Sequence, residues 1–195
     1  MSKLFLETLC VKEGLLQNLS YHQERIDRTL HHFNITTKYD LKTLLTPPSD
    51  DFLRCRILYN SDQFEVSFHD YQKQTIQKLQ LVTSNNLHYD FKYADRSALE
   101  RLSLQKDDAD DILIVKDGFI TDTTIANIAF FNGEHWLTPK SPLLLGTTRA
   151  RLLDEKKIIT ADIHVEDIQQ FQYFALMNAM IGFTPVKNGI ISPLK

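Results

Sequence analysis

Two dipeptides constrain this chain most, Asp117-Gly118 and Asn132-Gly133. Each lies between runs of strand formers, 111–116 and 119–122 around the first, 126–131 and 135–138 around the second. Such a loop suits the type I′ turn, in which both central residues take positive φ and the turn matches the twist of its strands. This stretch is therefore expected to fold as antiparallel hairpins. Helical patterns flank it over 96–104 and 147–156, with a short one near 165–170. Hairpins mixed with helices argue for an α+β fold and against a doubly wound parallel sheet.

Upstream, residues 3–10 alternate, and 14–18 can pair back through a turn near Gly14. Ser20-Tyr21-His22-Gln23 fits a capping box, with Ser20 as N-cap and Gln23 reaching back. His22, Ile26, Thr29, Leu30 and Phe33 then share one face of the helix. Asp40 is placed to cap a short helix ending before Pro47-Pro48. Strands are expected at 52–60 and 63–71 around Asn60-Ser61-Asp62, at 78–84, and at 172–178 and 182–186 before a turn at Asn188-Gly189. The pattern changes near residue 85. It divides the chain into a small N-terminal α+β domain, 1–85, and a C-terminal domain, 86–195.

The chain has 195 residues, enough for one large domain or two small ones sharing a core. A net charge of −3 gives no nucleic-acid surface. No apolar run approaches the roughly 20 residues that span a bilayer, and Glu7 interrupts any signal-peptide layout. Cys10 and Cys55 are too few for a disulfide framework, or for a zinc site without help from histidine. A cytoplasmic protein without metal is the expectation.

Four places carry candidate chemistry. Leu145-Gly146-Thr147-Thr148-Arg149 opens a helix, where unpartnered N–H groups and the helix dipole favour an anion. Taken alone it reads sooner as a glycine turn with a threonine cap, since hydroxyl caps are common. Lys92, among Phe91 and Tyr93, is either an amine nucleophile of lowered pKa or a solvated lysine. Asp122 at a strand end is either the partner of a cationic ring nitrogen or an Asx-turn residue. Arg25, with Arg28 one turn on, is a fork for phosphate or part of a solvated face with Glu24 and Asp27. Their order is more telling than any one of them. An arginine, a lysine, a carboxylate and a Gly-Thr-Thr helix start are the parts needed to hold pyridoxal 5′-phosphate (PLP).

With these residues in view, the sequence resembles the class IV aminotransferase family, the fold-type IV PLP enzymes. Phe5-Leu6-Glu7-Thr8 resembles the family's early Phe-Glu-Thr strand, and His22-Gln23-Glu24-Arg25-Ile26 its His-x-x-Arg-Leu helix. Ile120-Thr121-Asp122 with Asn127-Ile128-Ala129 resembles its acid-bearing strand. Leu145-Gly146-Thr147-Thr148-Arg149 is similar to its Gly-Ile-Thr-Arg motif, and Thr184-Pro185-Val186 to its closing Thr-Pro-Val.

The resemblance implies a smaller N-terminal and a larger, barrel-like C-terminal domain, usually in a homodimer acting on a small amino substrate. It makes Lys92 the Schiff-base lysine. Arg25, Gly146, Thr147 and Thr148 would hold the phosphate, and Asp122 the ring nitrogen. Met177-Asn178-Ala179-Met180-Ile181 is similar to the aminodeoxychorismate lyase branch, which puts Asn178 and Ala179 at the substrate pocket. The implied activity is release of 4-aminobenzoate and pyruvate from 4-amino-4-deoxychorismate for folate synthesis. The alternatives are transamination of branched-chain or D-amino acids, and non-catalytic binding of PLP or another anion. Three departures stand out: Asp122 replaces the usual glutamate, Thr123-Thr124-Ile125 replace the usual Gly and Ser, and the family's opening hairpin has no counterpart ahead of Phe5.

Overall fold

The computed structural model describes residues 3–194 and divides into two compact units. The first runs to Lys73 and takes back Phe91–Asp95; the second holds Gln74–Asp90 and everything from Arg96.

In the first unit, β1 (Phe5–Lys12) turns through Glu13 and Gly14, both at positive φ, into the two-residue β2 (Leu15–Leu16). Helix α1 (Leu19–His32) and the single turn α2 (Leu41–Leu44) follow, then β3 (Leu53–Tyr59) and β4 (Phe64–Asp70). The sheet is antiparallel in the order β2-β1-β3-β4. Strand periodicity decides its core. Phe5, Leu9 and Val11 from β1 meet Leu53, Cys55, Ile57 and Tyr59 from β3 under Ile26 and Leu30 of α1. Phe91–Asp95 lies along the start of β1. Leu6 N–H donates to the Lys92 carbonyl (2.8 Å), Ala94 N–H donates to the Leu4 carbonyl (2.9 Å), and Phe5 pairs with Tyr93.

In the second unit the elements are β5 (Lys78–Thr83), α3 (Ser97–Ser103), β6 (Asp111–Lys116), β7 (Phe119–Thr123), β8 (Asn127–Phe131) and β9 (Trp136–Pro139). Then come α4 (Thr147–Asp154), β10 (Ile159–Ala161), a 3-10 segment over Val165–Gln170, β11 (Tyr173–Asn178), β12 (Gly182–Val186) and β13 (Ile190–Ser192). The strand order is β10-β9-β8-β7-β6-β5-β13, with β11 on β8 and β12 on β11. β6 is buried from Asp111 to Val115, and Ile112–Val115 form the continuous apolar run of a central strand. β5, β7 and β8 contribute Leu79, Leu81, Ile120, Ile128 and Phe130 to the core that it joins.

The α+β expectation holds, and the elements expected over 78–186 form within two residues of their predicted ends. Asp40 caps α2, accepting from Lys42 N–H at 3.0 Å. Three expectations are corrected. The first helix begins at Leu19 behind Asn18 in the left-handed region, so Ser20 lies inside the first turn and caps nothing. Gln23 donates instead to the Tyr39 carbonyl and Asp27 and accepts from Leu41 N–H, tying α1 to α2. Asp117-Gly118 has the two positive φ values of type I′, but at Asn132-Gly133 only the glycine does. Asn132 uses its side chain to accept from Glu134 and His135 N–H, an Asx arrangement that needs no positive φ. The division expected at residue 85 falls elsewhere. β5 pairs in parallel with β6 and β13 and so belongs to the second unit, while Phe91 and Tyr93 stack in the first with Phe33 and Phe5.

Candidate active site

The first unit buries a cluster of charge. Alternation along β1 puts Glu7 on the same face as Phe5, Leu9 and Val11, so a carboxylate faces the core. Such a group requires partners, and α1 supplies them one turn apart. Arg25 forks onto it, Nε to Oε1 and Nη2 to Oε2, both at 2.7 Å. His22 Nδ1 lies 2.7 Å from Oε2. Burial pushes the Glu7 acid up, but the Arg25 charge and the hydrogen bonds from His22 and Arg25 overcome it and hold it at about 2. An ionised carboxylate only accepts, so His22 donates from Nδ1. Burial lowers the His22 pKa, and the nearby charges of Arg25 and Lys92 lower it further against the pull of Glu7. Arg25 is therefore no part of a solvated face, whereas Arg28 is exposed.

Lys92 lies in the same unit and is half-buried. Tyr93 N–H donates to the Phe91 carbonyl at 2.8 Å, which makes Lys92 the central residue of an inverse γ-turn. Its own carbonyl is held by Leu6 N–H, next in sequence to Glu7. The rings on either side, Phe91 and Tyr93, pack on Phe33 and Phe5 at centroid distances of 5.0 and 5.7 Å. Backbone and aromatic packing thus fix the base of the lysine.

The second unit builds a different group. Asp122 is buried on β7 opposite Asn127 of β8. Its Oδ1 accepts from Asn127 Nδ2 at 2.7 Å and its Oδ2 from Leu144 N–H at 2.9 Å. Burial pushes the acid up to about 6. The Leu144 and Leu143 N–H groups, Asn127 and the Arg149 charge counteract this only in part. Asn127 also donates to the Leu144 carbonyl at 2.8 Å, binding the segment ahead of α4 to the acid. Gly146 caps α4 at an ordinary negative φ. Its reason is space, since an added Cβ would collide with Asn127 Oδ1.

Thr147, Thr148 and Arg149 are buried at the start of α4. Ala150 is the first residue whose N–H bonds back, to the Gly146 carbonyl, so the N–H groups of 147–149 stand outside the helical ladder. Thr148 Oγ1 is buried and has no hydrogen-bond partner among the described residues. An orphaned hydroxyl at a helix start fits an anionic ligand better than a plain threonine cap. Arg149 turns onto the end of β9, donating from Nη2 to the Pro139 carbonyl at 2.7 Å.

Asn178 ends β11, and its amide is committed inside the fold. Oδ1 accepts from Met180 and Ile181 N–H, and Nδ2 donates to the Ile125 carbonyl at 3.1 Å. Ala179 is half-buried in the turn so formed. Arg25 and Lys92 therefore come together in the first unit with Glu7 and His22. Asp122 and Gly146–Thr148 come together in the second with Asn127 and Arg149. Sequence reasoning gave those last four partners no role. The signal for Glu7 was its phase with three core residues of β1, and for His22 its place on the apolar stripe of α1.

The chain is similar to known proteins. The sequence model of amino-transferase class IV matches residues 56–188. An uncharacterised protein of Haemophilus influenzae is 38% identical over 182 residues, covering 90% of this chain and 97% of that protein. The crystal structure of a provisionally named 4-amino-4-deoxychorismate lyase from Haemophilus somnus 129pt is 35% identical. It superposes with a TM-score of 0.85, covering 92% of this chain and 97% of that one. A hypothetical aminotransferase from Mycobacterium tuberculosis, in a PLP-bound form, is 16% identical with a TM-score of 0.81, covering 99% of this chain and 81% of that one, a likeness of fold.

Proposed function

The chain belongs to the amino-transferase class IV family, and from that premise we propose that it is a PLP-dependent lyase converting 4-amino-4-deoxychorismate to 4-aminobenzoate and pyruvate. The observation that carries the cofactor is the partnerless buried hydroxyl of Thr148 at the start of α4. The likeness to the H. somnus protein favours the lyase branch.

In this reading the N–H groups of Thr147 and Thr148, with Thr148 Oγ1, hold the phosphate. A hydrogen bond to a charged group contributes about 1.5–3 kcal/mol, and the helix dipole adds up to about 2 kcal/mol in a buried setting. Gly146 lets Asn127 approach that helix start. Arg25, held by Glu7, would add positive charge for the phosphate. When bound, the cofactor supplies an electron sink for the bond broken beside the substrate nitrogen.

The residues then divide the proton work. Asp122 would keep the ring nitrogen protonated by accepting a hydrogen bond from it. Its shortness against the family's glutamate is consistent with an acid held in place from two sides by Asn127 and Leu144. Lys92 Nζ would be the amine that holds the cofactor, and as a free amine it would take the proton from the carbon bearing the substrate nitrogen. The ring C–O bond to the enolpyruvyl group would break as the ring aromatises, and the enolate released would take the proton back from Lys92 on carbon to become pyruvate. Asn178 and Ala179 shape the substrate side through the turn they form.

The proposal extends to a homodimer, a role in folate synthesis and a cytoplasmic setting. The buried free thiols Cys10 and Cys55 suit a reducing compartment. No helix among the described residues is long and apolar enough to cross a membrane. The test is to give the purified protein PLP and 4-amino-4-deoxychorismate and follow 4-aminobenzoate by fluorescence. Amino transfer to 2-oxoglutarate without 4-aminobenzoate would replace the lyase with an aminotransferase. A protein without PLP absorbance, or one whose absorbance survives Lys92→Ala, would remove the cofactor assignment.

A further inference from the structure

The hairpin between β7 and β8 is held more firmly than a hairpin requires. Asp122 and Asn127 face each other across it, and Thr123–Ala126 form the loop. The loop closes on itself. Thr123 N–H donates to the Ala126 carbonyl at 3.0 Å, and Thr123 Oγ1 accepts from Ala126 N–H at 3.1 Å. Side chains from three other places in the same unit then take hold of two consecutive loop residues. Asp111, buried on β6, accepts from Thr124 Oγ1 at 2.7 Å and Thr124 N–H at 3.2 Å. Arg96, ahead of α3, donates to the Thr124 carbonyl at 2.9 Å. Asn178, at the end of β11, donates to the Ile125 carbonyl at 3.1 Å.

Asn127 is the first residue after this loop, and its Nδ2 must reach both Asp122 Oδ1 and the Leu144 carbonyl. A hydrogen bond to a charged group weakens steeply once geometry slips. The direction in which the loop delivers Asn127 therefore controls how well the Asp122 charge is supported.

We propose that Asp111 is a positioning residue for Asp122, acting through Thr124 and the β7–β8 loop, with Asn178 and Arg96 as its helpers. Asp111 itself touches no reacting group. The role rests on the reading of Asp122 as the partner of the cofactor's ring nitrogen. The groups facing Asp122 are the amide of Asn127 from β8, the N–H groups of Leu143 and Leu144, and the charge of Arg149 from α4. Of these Asn127 is delivered by the loop and, through the Leu144 carbonyl, also places the Leu144 N–H, so releasing the loop raises the acid while Leu143 and Arg149 stay in place.

The experiment is a carboxyl-carbon NMR titration of Asp122 in the full chain without added cofactor. Asp111→Asn puts an amide donor opposite Thr124 N–H. Thr124→Val removes the hydroxyl at constant shape and decides the matter should Asp111→Asn fail to fold. Both are expected to move the Asp122 midpoint upward by about one pH unit, a tenfold change in its ionisation constant, while Thr124→Ser keeps the original midpoint. A merely structural Asp111 would lower stability at every pH and leave the midpoint where it was; that result would overturn the proposal. Because the titration needs no PLP, a wild-type protein that fails to bind PLP overturns the proposed function alone, and an unmoved midpoint overturns the positioning role alone.

Discussion

Asp122 is an acid whose folded environment disfavours its charge, and this makes stability depend on pH in a direction opposite to that of most carboxylates. Burial lifts it from an ordinary 3.8 to about 6. The folded protein therefore takes up a proton more readily than the unfolded chain, and Asp122 adds stability as pH falls through 6 and withdraws it as pH rises. At about 1.4 kcal/mol per unit, the shift corresponds to roughly 3 kcal/mol, of which roughly 2 kcal/mol develops between about pH 4 and about pH 7.5. Asp122→Asn removes the titration but also turns an amide donor toward Asn127, so its stability at any one pH mixes two effects. The difference between the two proteins across pH does not. Urea unfolding of wild type and Asp122→Asn, both without cofactor, should show wild type losing roughly 2 kcal/mol relative to the variant between those pH values. Saturating PLP should abolish that loss, because a protonated ring nitrogen favours the ionised acid. Parallel curves for the two proteins would refute the account of a buried acid poised near 6.

The other perturbations act elsewhere. Thr148→Val should leave the melting temperature of the cofactor-free protein unchanged or slightly higher, since it removes an unsatisfied hydroxyl, and should weaken PLP binding about 10- to 100-fold by absorbance titration. Glu7→Gln strands the buried Arg25 charge and should cost about 3–5 kcal/mol in chemical denaturation. Glu7 also dictates behaviour in acid. Held at about 2 against an ordinary 4.5, it contributes about 3 kcal/mol above pH 4.5, lost as pH falls toward 2, so Glu7→Gln should flatten the acid limb of the unfolding profile. Gly146→Ala should push Asn127 off Asp122, seen as loss of PLP absorbance together with an upward shift of the Asp122 midpoint.

Much of this architecture is legible in the chain because local rules decide it. Alternation fixed which residues of β1 and β3 face inward, and Asp117-Gly118 fixed its turn because two consecutive positive φ values leave few other residue types. Asn132-Gly133 shows where local rules end. The same dipeptide type serves a different turn once the asparagine finds backbone donors of its own. Ser20 failed as a cap for a related reason, because the path out of β2 placed Asn18 at the helix start first. The candidate site was legible as a set of residue types in order. What stayed hidden was their partners. Glu7 lies far in sequence from Arg25, and Asp111 from Thr124, and no local pattern announces a pairing made by a sheet. Arg149 looked like a member of the helix start and proves to be held on the end of β9.

The return of Phe91–Asp95 to β1 has a consequence for how this chain can be divided, lengthened or evolved. The polypeptide leaves the first unit after Lys73, lays down β5 in the second, goes back to deliver Lys92, and leaves again at Arg96. Neither unit is a continuous piece of sequence. A fragment ending at residue 85 would lack the lysine, and one beginning at 86 would lack the strand that β6 and β13 pair with. Separate expression of the halves should therefore yield two incomplete sheets, and mixing the fragments should restore a fold that neither reaches alone. Loop insertions, usually tolerated at the surface, become hazardous between 74 and 95, where a change in length shifts the register of a strand in one unit and the position of the amine in the other.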